Sequence, residues 1–411
     1  MSVVLRRTWF VIFWLSAWLI AIDAHAQNQS DGGPDPSAVR MRIGPLGVTP
    51  RLDLNNLGID TNVFNEPDEA NPKEDFTFTA TPAVDVWLRL GRSWLQTTVR
   101  EELVWFQQYD SERSANTSVA VNWRMRLNRL FVTINPDYVN THDRPGYEID
   151  ARVRRDEYGA KGNVEVRAFA KTFLSVTGSW RKIDYDDAAV FQGTSLAFQL
   201  NRTMSGGGAA LKYQWTPLTS VAVTAERTQD RFEFSPLRDS DSTKIVGSIS
   251  LDPQALLKGS ASFGYRDFRP LVSSLPGYQG STALGDLSYV LLGSTRFAVT
   301  FKRDIEYSYD INQPYYLETG FNASIAQQVF GPVDFIVRFG ASNLAYRDRA
   351  GAAVAASNRV DHYRTYGGGV GYHLSPDLRL GFNVDHYRRT SELDGRRYSG
   401  LRYGTSVTYG Q

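Results

Sequence analysis

The strongest pattern in the sequence is an alternation of apolar and polar residues with a period of two. Residues 401–409 are an example, with apolar or aromatic side chains at most odd positions from Leu401 to Tyr409. Successive side chains of a strand point to opposite faces, so this segment predicts a strand with one apolar and one polar face. The same alternation recurs in residues 117–126, 333–343 and 378–387.

Two kinds of connection alternate between the predicted strands. Short turns lie at residues 91–93, 127–129, 170–172, 216–219, 252–258, 292–294, 330–332 and 375–377. Longer polar loops lie at residues 65–74, 109–114, 142–152, 184–193, 233–240, 269–281, 309–313, 347–358 and 390–395. Short periplasmic turns opposite longer extracellular loops are typical of outer-membrane barrels. Eight turns and nine loops predict 18 strands, with 16 as the alternative, and place both termini in the periplasm.

A soluble β-sandwich would alternate in the same way, but three features favour a membrane barrel. Most predicted strands have 10 or more residues, enough to cross a bilayer. Their polar face is rich in charge, and aromatic residues cluster near strand ends, namely Trp87, Trp94, Trp105, Phe106, Trp180, Trp215, Tyr372 and Tyr409. The predicted fold is therefore an all-β, transmembrane antiparallel β-barrel over residues 48–411. Its last strand pairs with the first, around residues 51–63, because lipid tolerates no open edge.

The N-terminus has the features of an export signal. Arg6 and Arg7 precede the apolar residues 8–22, and small residues flank His25 before a predicted cleavage at Gln27. Residues 1–26 are therefore predicted to be a signal peptide, and a retained anchor helix is the alternative. Residues 27–47 are rich in Pro, Gly, Asp and Ser and are expected to be a flexible periplasmic leader.

Three residues do not fit the apolar face on which they fall. Glu101 and Arg303 occupy the apolar register of their strands, where an arginine at mid-depth would cost about 2–4 kcal/mol. Pro82 also lies in that register and lacks a ladder donor. We expect a bulge at Pro82, and a bulge or a position near the lipid headgroups for the two charges.

Composition excludes several classes of function. The chain has no cysteine, so it has no disulfide, thiolate metal site, cysteine nucleophile or lipid-anchored N-terminus. The mature chain keeps 43 basic and 43 acidic residues, and nothing indicates a nucleic-acid partner. No histidine has a serine or carboxylate at a spacing that builds a catalytic triad, so no catalytic site is predicted. The aspartates of residues 184–187 and 239–241 are expected in solvated loops, so no metal site is predicted there. No cofactor site is predicted either.

The polar faces together predict the lining of the lumen. Barrels of this size enclose a water-filled space, and paired charges on the wall would keep it hydrated or guide a hydrophilic solute. The predicted lining residues are Asp85, Arg89, Arg100, Glu102, Arg124, Arg126, Asp137, Glu165, Arg167, Arg181, Glu226, Arg266, Asp286, Lys302, Asp304, Asp334, Arg338, Arg379, Asp385 and Arg402.

Several stretches carry a likeness to one family. They are residues 200–203, 206–208, 214–220, 230–232, 238–242, 251–253, 259–262, 264–266, 292–297, 303–308 and 313–316. Together they resemble the β-barrel outer-membrane porins of the β-barrel porin 2 type, which are linked with exopolysaccharide and capsule gene clusters. The resemblance implies an outer-membrane barrel of a Gram-negative bacterium that passes secreted polysaccharide. No defined catalytic or binding residue transfers with it.

Three functions follow as hypotheses. The first is export of exopolysaccharide or capsular polysaccharide, with the polymer and periplasmic export components as partners. The second is a general diffusion porin for small hydrophilic solutes, and the third is a non-transporting surface scaffold or adhesion barrel. Under all three, the barrel contacts outer-membrane lipids, lipopolysaccharide and the barrel assembly machinery. Tyr409 is the predicted assembly signal, with the last two residues trailing into the periplasm.

Overall fold

A computed structural model describes residues 39–252 and 255–410 of the chain. The predicted signal peptide, the leader up to residue 38 and Gln411 lie outside the described residues. Within the described part, no helix is long and apolar enough to span a membrane.

Most of the described chain is β-strand, and eighteen strands form one closed antiparallel barrel. The wall strands are β2 (Leu46–Asp60), β3 (Asp75–Leu90), β4 (Ser93–Phe106), β5 (Ser114–Leu127), β6 (Leu130–Asp143), β7 (Val153–Arg167), β8 (Thr172–Tyr185), β11 (Arg202–Thr216), β12 (Thr219–Phe232), β13 (Ser240–Leu251), β14 (Leu257–Pro270), β15 (Tyr278–Leu291), β16 (Thr295–Tyr307), β17 (Tyr315–Phe330), β18 (Val333–Arg347), β19 (Val360–Ser375), β20 (Leu378–Thr390) and β21 (Tyr398–Tyr409). Three short strands lie outside the wall, namely β1 (Met41–Ile43), β9 (Val190–Phe191) and β10 (Thr194–Ser195). The prediction of 18 strands is confirmed, and the alternative of 16 is wrong.

The last strand closes the barrel against the first, as predicted. β21 pairs with β2 from Leu52↔Tyr409 to Asp60↔Arg402, with one irregularity between Leu54 and Leu57. Asn56 adopts a positive φ of 53° there, which absorbs the extra residue of the bulge. The seam leaves no open edge within the lipid.

The last residues of the segment predicted to be a flexible leader form strands. β1 pairs antiparallel with the beginning of β2, from Met41↔Val48 to Ile43↔Leu46. The first wall strand therefore runs from Leu46 to Asp60. It overlaps the predicted range of 51–63, but it starts and ends earlier. Gly44 turns between the two strands with a φ of 58°.

The C-terminus also differs from the prediction. Gly410 does not trail away: its N–H donates to the Asp377 carbonyl oxygen at 3.0 Å, in the turn between β19 and β20. This contact ties the end of the described chain to a short turn. The two ends of the described chain, residues 39 and 410, and the short turns therefore share one end of the barrel, which is the periplasmic end in barrels of this kind.

One extracellular loop contains secondary structure that the alternation did not reveal. Residues 186–201 form the β9–β10 hairpin and a short helix, α1 (Leu196–Leu200), instead of the plain loop predicted at 184–193. The Ser195 side chain caps the helix by accepting a hydrogen bond from the Phe198 N–H. Leu196 and Leu200 are buried against Ile149, so the segment packs inward.

The irregular positions are accommodated without the expected bulges. β3 and β4 keep one register from Ala80↔Leu103 to Ala83↔Arg100. The ladder pairs at residues 81 and 82 are missing, but no extra residue is inserted at Pro82. The two charges on the outer face have partners on adjacent strands. Glu101 accepts from Thr117 Oγ1 at 2.6 Å, and Arg303 Nη1 donates to Thr319 Oγ1 at 2.6 Å.

Three of the aromatic residues assigned to the lipid interface face the lumen instead. Trp87 and Trp94 share their face with Asp85 and Arg89 by ladder register, and Phe106 on that face is only 2% exposed. The remaining five lie on the outer face. Alternation identifies faces only if the register is followed from rung to rung, and at strand ends an aromatic fits either environment.

We predict that replacing Tyr409 with Ala reduces the yield of folded barrel several-fold. Tyr409 is 44% exposed on the outer face of the last rung, where it pairs with Leu52 and Leu378. The measurement is the fraction of heat-modifiable barrel in outer-membrane extracts. Tyr403→Ala, on the same face of the same strand and 40% exposed, is the matched control. Equal yields of the two variants would show that the terminal aromatic has no special role in assembly.

Candidate functional site

The polar faces of the wall strands point into one lumen. Lys244 on β13 and Asp304 on β16 are 2.6 Å apart although two strands separate them, which requires an inward direction for both. Following the ladder registers from these residues places each predicted lining residue on the same inner face. Alternation did not predict other charged residues of that face, among them Arg51, Asp53, Asp60, Arg155, Glu157, Lys161, Arg202, Lys212, Asp230, Lys244, Glu306, Glu318, Asp361 and Arg389.

Near the periplasmic end, the inner wall carries a compact charge cluster. Asp334 is buried and accepts hydrogen bonds from Arg379 Nη2 at 2.6 Å and from the His373 ring at 2.8 Å. Further up the wall, Arg338 pairs with Asp385 at 3.0 Å. Each of these carboxylates therefore has a cationic partner on a neighbouring or next-but-one strand.

The neighbouring part of the wall, from β13 to β17, repeats this arrangement. Asp304 bridges Lys244 and Arg266, at 2.6 Å from each cation. Lys302 similarly joins Glu306 at 2.5 Å and Glu318 at 3.0 Å. The charged side chains of the inner wall are therefore paired with opposite charges. They offer a permeating solute both hydrogen-bond donors and acceptors, while the net electric field in the lumen stays small.

An extracellular loop, residues 144–152, lies inside the barrel and forms the centre of the candidate site. Its Glu148 side chain is 2% exposed. Glu148 Oε1 accepts from Ser308 Oγ at 2.6 Å, and Oε2 accepts from the Tyr309 N–H at 3.2 Å. Burial raises the pKa of Glu148, against the lowering effect of the Ser308 hydrogen bond and of nearby guanidinium groups.

Two arginines fix this loop to the end of the chain. Arg389 on β20 donates to the Tyr147 carbonyl oxygen at 2.8 Å and pairs with Asp150 at 3.1 Å. Arg396 donates to the Glu148 carbonyl oxygen and lies 3.4 Å from the Asp150 carboxylate. Both arginines are almost fully buried, so their charges depend on these partners.

A third arginine joins the neighbouring loops to the same centre. Arg238, in the loop between β12 and β13, is 1% exposed and donates to the backbone carbonyls of Ser308 and Pro314. It also donates to Gln199 Oε1 at 3.1 Å. Burial lowers the pKa of Arg238 to about 10, which still leaves it charged at neutral pH. We call residues 144–152 with their partners Arg238, Ser308, Arg389 and Arg396 the loop cluster.

The loop cluster lies between two cavities of the lumen. A cavity of about 280 Å³ extends along β18 to β21 and is lined by Tyr147, Asn322, Arg338, Tyr363, Asn383 and Asp385. A cavity of about 200 Å³ extends along β8 and β11 to β16 and is lined by Glu148, Arg181, Asp230, Lys244, Lys302 and Asp304. Consecutive residues of one loop therefore line both spaces.

One feature of the sequence, separate from the alternation, indicates that this loop lies inside the barrel. Residues 145–149 place Tyr147 and Ile149 beside Pro145 and Gly146 in a segment predicted to be a polar extracellular loop. Apolar residues in an extracellular loop indicate an inward position. Their partners lie about 160 and 240 residues away, as in Ser308 and Arg389 with Glu148, so spacing alone could not reveal them.

We predict that Arg396→Ala releases the loop and raises single-channel conductance, whereas Arg397→Ala does not. Removing one partner of a buried ion pair costs on the order of 3–5 kcal/mol. Arg396 is 3% exposed, whereas its neighbour Arg397 pairs with Asp394 at an exposed site. The measurement is conductance in planar bilayers. An unchanged conductance for Arg396→Ala would show that the ion pair does not retain the loop.

Comparison with known proteins gives one family match. The family model described as "Putative beta-barrel porin 2" matches residues 34–410. No curated protein matches the chain.

Solved structures of outer-membrane porins are similar to this chain at low sequence identity. The outer membrane protein opdK from Pseudomonas aeruginosa has a TM-score of 0.48 and 12% identity, with 88% of this chain and 98% of that chain covered. A BenF-like porin from Pseudomonas fluorescens Pf-5 has a TM-score of 0.47 and 13% identity, with 89% and 99% covered. OprD from Pseudomonas aeruginosa has a TM-score of 0.45 and 10% identity, with 92% and 98% covered. At this level of similarity, what these porins transport does not transfer to this chain.

The closed barrel, its polar lumen and the match over nearly the whole chain agree with one another. The chain belongs to the family described as "Putative beta-barrel porin 2" and is a β-barrel porin of the outer membrane of a Gram-negative bacterium.

Proposed function

We propose that this porin passes small hydrophilic solutes and that the loop cluster limits their size. The observation that carries the proposal is the position of residues 144–152 inside the lumen, fixed by the buried Glu148, Arg389 and Arg396. A loop held by several buried charges is a lasting part of the passage. The wide interior expected of an 18-strand barrel is therefore reduced to the spaces beside this loop.

The size of the cavities favours small solutes. Pockets for drug-sized ligands have volumes of about 300–1,000 Å³. The two cavities, at about 280 and 200 Å³, are below that range. A monosaccharide or an amino acid fits such a space, whereas a folded-back oligosaccharide does not.

The lining favours neutral or zwitterionic polar solutes. The larger cavity presents the amides of Asn322 and Asn383 beside the Arg338–Asp385 pair. Amides donate and accept hydrogen bonds, and the ion pair offers both signs of charge. Hydroxyl-rich solutes or solutes with one charge of each sign match this surface better than ions of a single sign.

Export of exopolysaccharide is the second candidate. Its support is the sequence resemblance to porins linked with polymer gene clusters, together with the rings of Tyr147 and Tyr363 in the larger cavity, which could stack on sugar rings. A polymer strand would need a continuous path, so the loop cluster would have to leave the lumen during export. Deletion of the gene should then leave polymer in the periplasm, and normal surface polymer would argue against this candidate.

The proposed function is tested by solute uptake into proteoliposomes. The wild-type porin should admit monosaccharides and exclude a tetrasaccharide, while a variant with glycine at residues 145–149 should admit both. Bilayer conductance of the same proteins provides an independent measurement. Equal entry of the tetrasaccharide through both proteins would overturn the size limit, and absence of conductance in both would favour a non-transporting scaffold.

A further inference from the structure

The outer face of the barrel carries a basic patch at its extracellular end, independent of the lumen. By ladder register, His362 and Arg364 on β19 share the outer face with Tyr366, and His386 and Arg388 on β20 share it with Val384. Arg364 and Arg388 are directly opposite each other across the two strands. We call His362, Arg364, His386 and Arg388 the outer basic patch.

No carboxylate among the described residues forms an ion pair with the outer basic patch. Arg364 donates to the Ser342 and Tyr363 carbonyl oxygens at 3.2 and 2.8 Å and to Asn343 Oδ1 at 3.1 Å. The ring of His362 also binds Asn343 Oδ1, at 2.7 Å. These are neutral acceptors, so the positive charge of Arg364 is not compensated.

Arg388 is exposed and has no hydrogen-bond or ion-pair partner in the described part of the chain. Its rung neighbour on β21 is Ser399. A nearby carboxylate, Asp68, accepts from the Ser399 N–H at 3.1 Å and from Ser399 Oγ at 3.0 Å instead of pairing with Arg388. Like charges directly opposite on adjacent strands destabilise a sheet. An anion bound from outside the protein would therefore reduce the repulsion between Arg364 and Arg388.

The height of the patch on the barrel agrees with a position at the lipid headgroups. Arg364 lies two residues, about 7 Å along the strand, beyond Tyr366. Tyr366 ends an outer ladder of rings with Phe339 and Phe321, at centroid distances of 5.3 and 5.4 Å. Aromatic rings on the outer face mark the membrane interfaces, and an outer arginine is costly at the midplane but nearly neutral at the interface.

Three other arginines of the outer face near the extracellular end have carboxylate partners. Arg227 and Arg231 pair with Asp241 at 3.1 and 2.7 Å. Arg269 pairs with Asp267. Arg154, Arg303 and Arg347 also lie on the outer face and donate to neutral acceptors, but each stands opposite an uncharged or histidine rung neighbour. The outer basic patch differs because two arginines without carboxylate partners, Arg364 and Arg388, are directly opposite each other on adjacent strands, which marks this part of the rim as a site for an anionic ligand.

We propose that the outer basic patch binds the phosphate groups of lipid A in lipopolysaccharide. The patch lies at the extracellular interface, and lipopolysaccharide forms the outer leaflet of this membrane. Guanidinium groups bind phosphate oxygens through paired, charge-assisted hydrogen bonds. One phosphate between Arg364 and Arg388 relieves their repulsion, while the ring ladder below them contacts the acyl chains.

The test measures lipid retained by the purified full-length barrel. Wild-type protein is reconstituted in phosphatidylcholine vesicles that contain phosphorylated lipid A, dephosphorylated lipid A or phosphatidylglycerol, and the retained lipid is quantified by native mass spectrometry after detergent extraction. Wild type should retain phosphorylated lipid A and neither of the other lipids. Arg364→Gln/Arg388→Gln should retain it on the order of tenfold less, because charge-assisted hydrogen bonds are lost.

The matched control removes two outer arginines that have carboxylate partners. Arg227→Gln/Arg269→Gln should retain lipid A as the wild type does. Arg388→Gln alone removes a side chain without partners in the fold, so a loss of lipid A in this variant cannot result from misfolding. Equal retention by wild type and Arg364→Gln/Arg388→Gln would overturn the proposal, as would equal retention of dephosphorylated lipid A or of phosphatidylglycerol.

Discussion

Hydrocarbon offers the backbone no hydrogen-bond partner, so every strand inside the membrane must be paired on both edges. This constraint explains the seam between β2 and β21, where the ladder continues past the bulge at Asn56. It also explains how Pro82 is tolerated, since the neighbouring rungs keep their register. Closure of the wall then creates the interior in which the loop cluster and the paired charges lie.

A closed wall of eighteen strands leaves a wide interior, and the loop cluster occupies its extracellular part. Burial of Glu148, Arg238, Arg389 and Arg396 is costly unless each charge has partners, and each of them has several. Such a network is a weak source of net stability, but it allows one arrangement of the loops and few others. The passage is therefore specified by electrostatic pairing, whereas the wall is specified by backbone pairing.

Alternation along the chain was sufficient to predict the wall. Because lipid imposes a period of two on one face, the strand number, the closing pair of strands and the inner position of residues such as Asp304 and Arg338 followed from it. It could not reveal the loop cluster, because Arg389 and Glu148 are joined across about 240 residues and neither lies in a periodic pattern that indicates the other. The short helix at Leu196–Leu200 and the anchoring of Gly410 were missed for the same reason.

The position of residues 144–152 inside the lumen is the central claim, and cysteine accessibility tests it most directly. The chain has no native cysteine, so single cysteines can be placed at Ile149, which is 4% exposed, and at Glu392, which is exposed in the last loop. Intact cells are treated with a polymer-linked maleimide too large to enter the barrel. Labelling of Glu392→Cys but not of Ile149→Cys is expected, with Ile149→Cys becoming reactive when Arg396→Ala is added. Equal labelling of both single variants would contradict the inward position of the loop.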